Sequence, residues 1–506
     1  MKLYKICALG LIMSGAMLST SYAQSAYDAF KYGNTQSQGT ARGIGIGGAL
    51  GSVGGDASSF SVNPAGIGVY RSSELTITPA LQFSSGSSNY LGESTAANSS
   101  RLVLGNASYV TTYRAEGRNY EQSKLKALSL GLTYNRVADF NQKTMFSGLN
   151  NESSIVDVFS ADAINYGTDP NIQPPLGYLG YEGFLLYDDL TSIPTHTILD
   201  NGGSLRQSQE TRANGGINEF GINVGGNVNE TVLFGVGLNF LNYRYDHISR
   251  FIEEDATGNL DNDFNSLIYT EDLETRGVGF NMKFGAIIVP HESFRIGLAV
   301  HTPTWSNFTD MSHYNLLTDT ENLKRDTGQP SSNPMTNVTP DYPYEFSYNL
   351  RTPWKAVLSG TALFGKSGFL TVDYEFVDYT SMKYSGDIHN SSYFSSVNTA
   401  IKDMYRGAHN IRVGGEARLD QFLIRAGFGY SSNPFEENVI YDGSKMHYAA
   451  GIGYRTKGFG IDLGYMLMNS QPQAYGYPLI ASGVPVGIVD TDLYKSLVSL
   501  SLSFRF

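Results

Sequence analysis

The chain has 506 residues, 41% hydrophobic and 12% aromatic, with 47 acidic side chains against 35 basic ones. The acidic balance disfavours a nucleic-acid partner, and a lone cysteine, Cys7, leaves no disulfide and no cysteine metal site. No run approaches the 18 or so apolar residues of a membrane-spanning helix.

The amino-terminus reads as a secretory signal over residues 1–23. Lys2 and Lys5 precede an apolar run from Ile6 to Leu18, and Ser21-Tyr22-Ala23 forms a small-x-small cleavage site before Gln24. Cys7 lies within the apolar run rather than just after the cleavage site, which argues against a lipoprotein.

Residues 24–72 do not alternate and are rich in glycine between Gly43 and Gly68. Gly43, Gly45 and Gly48 match GxGxxG, but no apolar strand precedes them, so a dinucleotide site fails its context. The segment is expected to be a hatch packed inside a barrel lumen. Glycine lets its backbone approach the wall, and Asn63-Pro64 pins a turn. Asp56 and Asn63 are expected to hold hatch geometry, and Phe60 to be the hatch residue that meets a ligand.

From residue 73 onward the pattern has period two, the repeat of a β-strand with one apolar face. Alternating segments fall near 73–84, 101–113, 125–136, 216–228, 231–247, 275–289, 293–302 and 345–364. Later ones follow in the same style, such as Leu370/Val372/Tyr374/Phe376 and Phe422/Ile424/Ala426/Phe428/Tyr430. The last strand alternates Val498, Leu500, Leu502, Phe504 and Phe506 with serines and Arg505. That makes about fourteen strands, an even number as single-chain outer-membrane barrels have. Connections alternate long (85–100, 137–215, 248–274, 303–344, 379–406, 432–444, 470–494) and short, as at Asn229-Glu230 and Asp420. The fold class is therefore all-β, an antiparallel transmembrane barrel over 73–506 with an amino-terminal hatch, located in the outer membrane.

Strand parity points Arg412, Glu416, Arg418, Arg425, Asp373, Glu375 and Asp462 into the lumen, where they are expected to pair and anchor the hatch. Arg412 or Arg425 could instead hold a carboxylate. In the loop 137–215, Phe184–Tyr187 and the run Ile155, Val156, Val158 and Phe159 either receive an apolar ligand or pack the loop onto itself. The second run suits a short amphipathic helix. The eight histidines show no metal spacing and no nucleophile elbow, so no enzyme and no cofactor are expected.

Gly55-Asp56-Ala57 followed by Asn63-Pro64-Ala65-Gly66 just before the first strand, with some fourteen strands ending in Phe, resembles the FadL/TodX-type outer-membrane hydrophobic-compound transporters, in a Bacteroidetes-type style. The resemblance spans essentially the whole chain after the signal. It implies passive transport of hydrophobic small molecules, such as long-chain fatty acids, through a monomeric barrel set in outer-membrane lipid and lipopolysaccharide. Loops would capture the ligand, and hatch movement would open a route, in some members through the barrel wall. The long loops depart from a minimal barrel and leave the ligand open. A haem receptor and a surface adhesin are the alternatives.

Overall fold

The structure is a computed structural model, described here for residues 25–36, 38–114, 122–172, 174–324, 334–387, 391–437, 439, 442–477 and 486–506. The proposed signal segment lies outside the described residues.

Fourteen strands close into an antiparallel barrel: β1 (Glu74–Tyr90), β2 (Glu93–Arg114), β3 (Leu125–Asp139), β4 (Leu205–Val228), β5 (Val232–Asp255), β6 (Ser266–His291), β7 (Phe294–His301), β8 (Lys355–Leu363), β9 (Gly368–Asp378), β10 (Gly407–Leu419), β11 (Phe422–Ser431), β12 (Lys445–Arg455), β13 (Phe459–Ser470) and β14 (Ile488–Arg505). Each pairs with its neighbours in sequence, and β1 pairs with β14 from Glu74↔Arg505 to Tyr90↔Val489. Pairing of the first strand with the last closes the sheet on itself.

Alternation is physical here. On β5, Val232, Phe234, Val236, Leu238 and Phe240 face outward while Leu233, Asn239 and Leu241 are buried. The outward apolar band ends at Phe240, and Arg244 stands exposed beyond it. This band is the lipid-facing surface. No helix among the described residues is long and apolar enough to span a membrane. The closed barrel and its outward apolar band place the protein in the outer membrane.

Several expected loops carry strands, 303–344 among them with Trp305–Asp319 and Met335–Val338. Residues 85–100 continue β1 and β2 to a tight turn at Leu91-Gly92, and 248–274 is mostly the ends of β5 and β6. Their serines and charges lie above the lipid, so no apolar face marks them, yet the ladder persists. The loop after β3 holds a strand at Gln142–Asn150 and two helices, α3 (Ile155–Tyr166) and α4 (Leu176–Glu182). These pack on the extended strands as an extracellular cap whose core includes Phe159, Leu179, Leu185, Ile193, Phe251 and Tyr477. The two apolar runs of this loop thus pack inward, in the way the second sequence reading allowed.

Two adjacent strands break in the wall. β7 stops before Thr302-Pro303-Thr304 and resumes as Trp305–Asp319; Tyr344–Arg351 stops at Thr352-Pro353-Trp354 before β8. Proline has no N–H for the ladder. The wall stays shut because Thr352 N–H donates to Thr304 O (3.0 Å) and Thr304 N–H to Thr352 Oγ1 (2.9 Å).

A plugged lumen with a break in its wall

Residues 25–36 and 38–70 lie inside the barrel. Helix α1 (Ala26–Gly33) begins with a capping box in which Ser25 Oγ accepts from Asp28 N–H and the Asp28 carboxylate accepts from Ser25 N–H. Its apolar positions Ala26, Ala29 and Phe30 share one face at helical spacing and are buried. Phe30 lies against Tyr379, Tyr405 and Phe435, with ring centroids 5.1, 5.7 and 5.5 Å away. Tyr32 meets Phe308 at 4.7 Å and Tyr243 at 6.0 Å. A second helix, α5 (Ser391–Met404), lends Tyr393, Phe394 and Ile401 to the same apolar cluster. The chain thus fills an aromatic cage with its own amino-terminal helix.

Below the cage the contacts turn polar. Thr40 caps the short helix α2 (Ala41–Gly45) and donates to Asp56 at 2.8 Å, which also accepts Ser58 N–H at 2.9 Å. Asn63 donates to Gly51 O (2.6 Å) and Ala286 O (3.3 Å) and accepts Ala65 N–H (3.0 Å). Pro64 opens the turn 64–69, and Gly66 closes it back on Asn63 O at 3.0 Å. Side chains at Gly285 or Gly235 in the wall would collide with Asn63 and Pro64, which is why both wall positions are glycine. Ala65 is wholly buried beside Leu233 and Ile287. The hatch motif Asp56, Asn63, Pro64, Ala65 and Gly66 therefore forms turns and wall contacts. Phe60 packs against Tyr70 and Val110 near Gly131, away from the cavity described below.

The lumenal charges pair as parity suggested. Glu416 accepts from hatch Arg42 (3.0 Å) and from Arg425 (2.6 Å), and Arg425 also meets Asp462 at 2.7 Å. Arg412 pairs with Glu375 at 2.9 Å, and Asp373 accepts Gly51 N–H at 2.9 Å. Arg412 and Arg425 are thus occupied by protein carboxylates. Arg418 departs from expectation: it is exposed at the β10–β11 turn and donates to Asp420 O. Parity loses its meaning where the strand leaves the wall. Lys283 pairs with Glu219 at 2.6 Å, and His447 Nε2 lies 3.0 Å from Gly47 O.

Between hatch and wall lies a cavity of about 70 Å³ bordered by Tyr243, Lys283, His301, Lys355, Glu375 and Arg412. A water needs roughly 10–15 Å³ of such space, so it holds a few waters and no hydrophobic solute. A hydrophobic solute would have to displace protein to occupy this cavity.

Between β2 and β3 the wall has a gap in its ladder that the hatch fills. β2 and β3 pair from Arg114↔Ala127 to Asn106↔Asn135 and no further, while β2 continues against β1 alone. Gly105 bulges opposite Thr78 and Pro79, and the space for a side chain there is closed by Gly39 O at 3.2 Å. In place of β2, hatch residues bond β3: Gln36 N–H to Val137 O (2.8 Å) and Gln38 N–H to Arg136 O (2.9 Å). Val137 and Phe140 reach inward to the aromatic cage. Neither this bridge nor α1 was foreseen in the sequence, although Ser25-x-x-Asp28 was a legible capping signal.

Fold and site together define a fourteen-stranded outer-membrane barrel closed by an internal hatch. Solved structures with this fold include a Pseudomonas aeruginosa FadL homologue (TM-score 0.55, 14% identity, covering 94% of this chain and 99% of that one). The Pseudomonas putida toluene transporter TodX is similar at TM-score 0.53 and 11% identity, covering 92% and 98%. The Ralstonia pickettii toluene transporter TbuX gives 0.51 and 14%, with the same coverage. No protein-family model and no curated protein sequence matches the chain.

Proposed function

We propose that this barrel passes hydrophobic small molecules passively across the outer membrane, with the hatch as its gate. The observation that carries this reading is the aromatic cage: a lumenal site built from Tyr379, Tyr405, Phe435 and Phe308 and filled by Phe30 and Tyr32 of α1. Burying aromatic surface is worth about 25 cal/mol per Å², so an apolar solute of similar size can replace these rings at little net cost. The ion-paired hatch below excludes bulk polar flow. The hatch-bridged gap between β2 and β3 offers a sideways route: once Gln36 and Gln38 leave β3, the cage communicates with the lipid through Val137. Toluene transporters among proteins of like fold support the hydrophobic class of solute. An adhesin displaying its cap would need neither cage nor hatch.

Uptake of labelled oleate by cells lacking the gene, with and without the protein restored, tests the reading. Saturable uptake that returns with the protein is expected. Equal uptake for oleate and for neutral hydrocarbons with and without the protein would overturn it.

A further inference from the structure

The wall beside the aromatic cage closes on a short ladder. The strand Tyr344–Arg351 pairs along its whole length with Trp305–Asp319, from Tyr344↔Ser312 to Arg351↔Trp305. On its other side the described ladder runs only from Asn349↔Ser385 to Arg351↔Lys383. The inward members of that ladder, Leu350 and Tyr384, belong to the cage, and Tyr384 meets Tyr348 at 5.5 Å. Its outward end consists of Arg351 and Lys383, two exposed cations directly opposite each other. Like charges so placed destabilise an antiparallel pair.

Among the described residues neither cation is in an ion pair, and Arg351 donates to Ser381 O at 3.1 Å. Asp378, at the head of the turn Tyr379–Ser381, spends its carboxylate on Thr380 N–H (3.2 Å) and Thr380 Oγ1 (2.6 Å). Other exposed arginines of the outer rim do have an acid: Arg206 has Glu93 at 3.1 Å, Arg244 has Asp246 at 2.8 Å, and Arg276 has Glu274 at 2.9 Å. The position matters as much as the charge. Outward residues of this sector are apolar through Leu358, Tyr374 and Trp354, whose ring lies 5.6 Å from Phe376, and turn polar at Arg351, Asn349 and Ser347. Aromatic side chains mark the border between lipid and water. The two cations stand just beyond that border, on the rim of long connections, at the depth of outer-leaflet head groups.

We propose that Arg351 and Lys383 bind a phosphate of an outer-leaflet glycolipid of the lipid A class, and that this phosphate staples the ladder between 349–351 and 383–385. One phosphate carries charge enough for both cations. Its oxygens suit the planar fork of the guanidinium and the point charge of the ammonium. Trp354 and Phe376 give the glycolipid's acyl chains an apolar seat just below, which a free phosphate ion cannot use. The staple lies in a different sector of the wall from the gap between β2 and β3, and it is independent of the solute that the lumen carries.

Binding of diphosphoryl lipid A and of its dephosphorylated form to the protein in phosphatidylcholine nanodiscs, corrected for empty discs, tests this. The phosphorylated lipid is expected to bind at least about tenfold more tightly. Arg351→Gln with Lys383→Gln should abolish that preference, whereas Arg351→Lys with Lys383→Arg should keep it. The heat-shifted gel mobility of a folded barrel verifies each variant. Hydrogen exchange of 344–351 and 383–385 reads the staple: lipid A should slow it in the parent protein and leave it unchanged in the glutamine pair. Equal affinity for the two lipids, no binding of either, or a preference surviving the glutamine pair would overturn the proposal. Competition by inorganic phosphate at a concentration equal to that of the lipid would overturn the glycolipid as occupant, and exchange unaffected by bound lipid A would overturn the staple.

Discussion

The hatch and the extracellular cap are both bodies of chain packed against the same barrel, yet different forces hold them. The hatch is fixed by directional contacts: the Arg42–Glu416–Arg425 pairs, backbone bonds from Gln36 and Gln38 to β3, and glycines such as Gly414 and Gly427 where its backbone touches the wall. The cap is held by a continuous apolar core from Tyr90 to Val489, with few charges inside it. Two buried acids are exceptions: Asp162 accepts Gly177 N–H at 2.8 Å, and Glu253 lies among the cap's first helix residues. Glu253 accepts from Ile155 N–H (3.2 Å), Gln207 Nε2 (2.7 Å) and Ser154 Oγ, with no cation paired to it among the described residues. Polar, geometry-dependent contacts can be released as a set and remade; apolar burial scales with area and favours permanence. On the proposed function the hatch is the part that moves, and the cap is a standing roof.

Substitutions can break that contrast, and the largest effect is expected at Glu416. Glu416→Ala leaves Arg42 and Arg425 with one shared acid fewer in a nearly dry lumen. Loss of one partner of a buried pair costs about 3–5 kcal/mol. The hatch should loosen, seen as a rise in single-channel conductance and in entry of small polar antibiotics, while the cap stays protected from proteolysis. Unchanged conductance would show that the ion pairs do not hold the hatch.

Next in size is the pH response of the cap. Burial pushes the Glu253 carboxyl up to about 7 from 4.5, with its three hydrogen bonds opposing the shift only in part. A carboxyl raised in the folded state favours folding below its unfolded pKa and loses that contribution as pH climbs through the folded value. The cap should therefore be most protected below about pH 4.5 and weaken towards pH 7, by at most about 3 kcal/mol. Hydrogen exchange of 155–199 between pH 4.5 and 8 reads this, and Glu253→Gln should reduce it to the share left by Asp162, which burial raises to about 6. A cap that tightens as pH rises would contradict the assignment.

Gly414→Ala is expected to act on the hatch alone. A Cβ at Gly414 would run into the Ile46 carbonyl. Overpacking of this kind costs about 1–3 kcal/mol. Raised leakiness with unaltered cap exchange would sharpen the comparison. Smallest of all, Ile193→Val in the fully packed cap core should cost about 1 kcal/mol and leave conductance untouched. A conductance change there would couple the two regions.

Much of the barrel was legible because lipid on one side and protein on the other impose period two on every membrane strand. The signal fails where that asymmetry ends. Ser84-Ser85-Gly86-Ser87-Ser88 looks like a loop yet pairs residue by residue with β2 and β14, since water accepts a polar face on a strand as readily as on a loop. The hatch motif was legible through Asn63-Pro64 and its glycines. The cage was not: Phe30, Tyr379, Tyr405 and Phe435 come from four separate stretches, and nothing local distinguishes them from other loop aromatics. Likewise parity put Arg412, Glu416 and Arg425 in the lumen, but only the structure shows which partners they meet.

The central claim is that α1 must leave the aromatic cage for a solute to pass. Ala29 is wholly buried on the cage side of α1, and the sole native cysteine is Cys7, within the expected signal segment. Labelling of the Ala29→Cys protein by a water-soluble maleimide, with and without saturating oleate, measures displacement directly. The account predicts slow labelling alone and a rise of about tenfold or more when solute competes for the cage. Labelling that stays slow while oleate is being transported would contradict it.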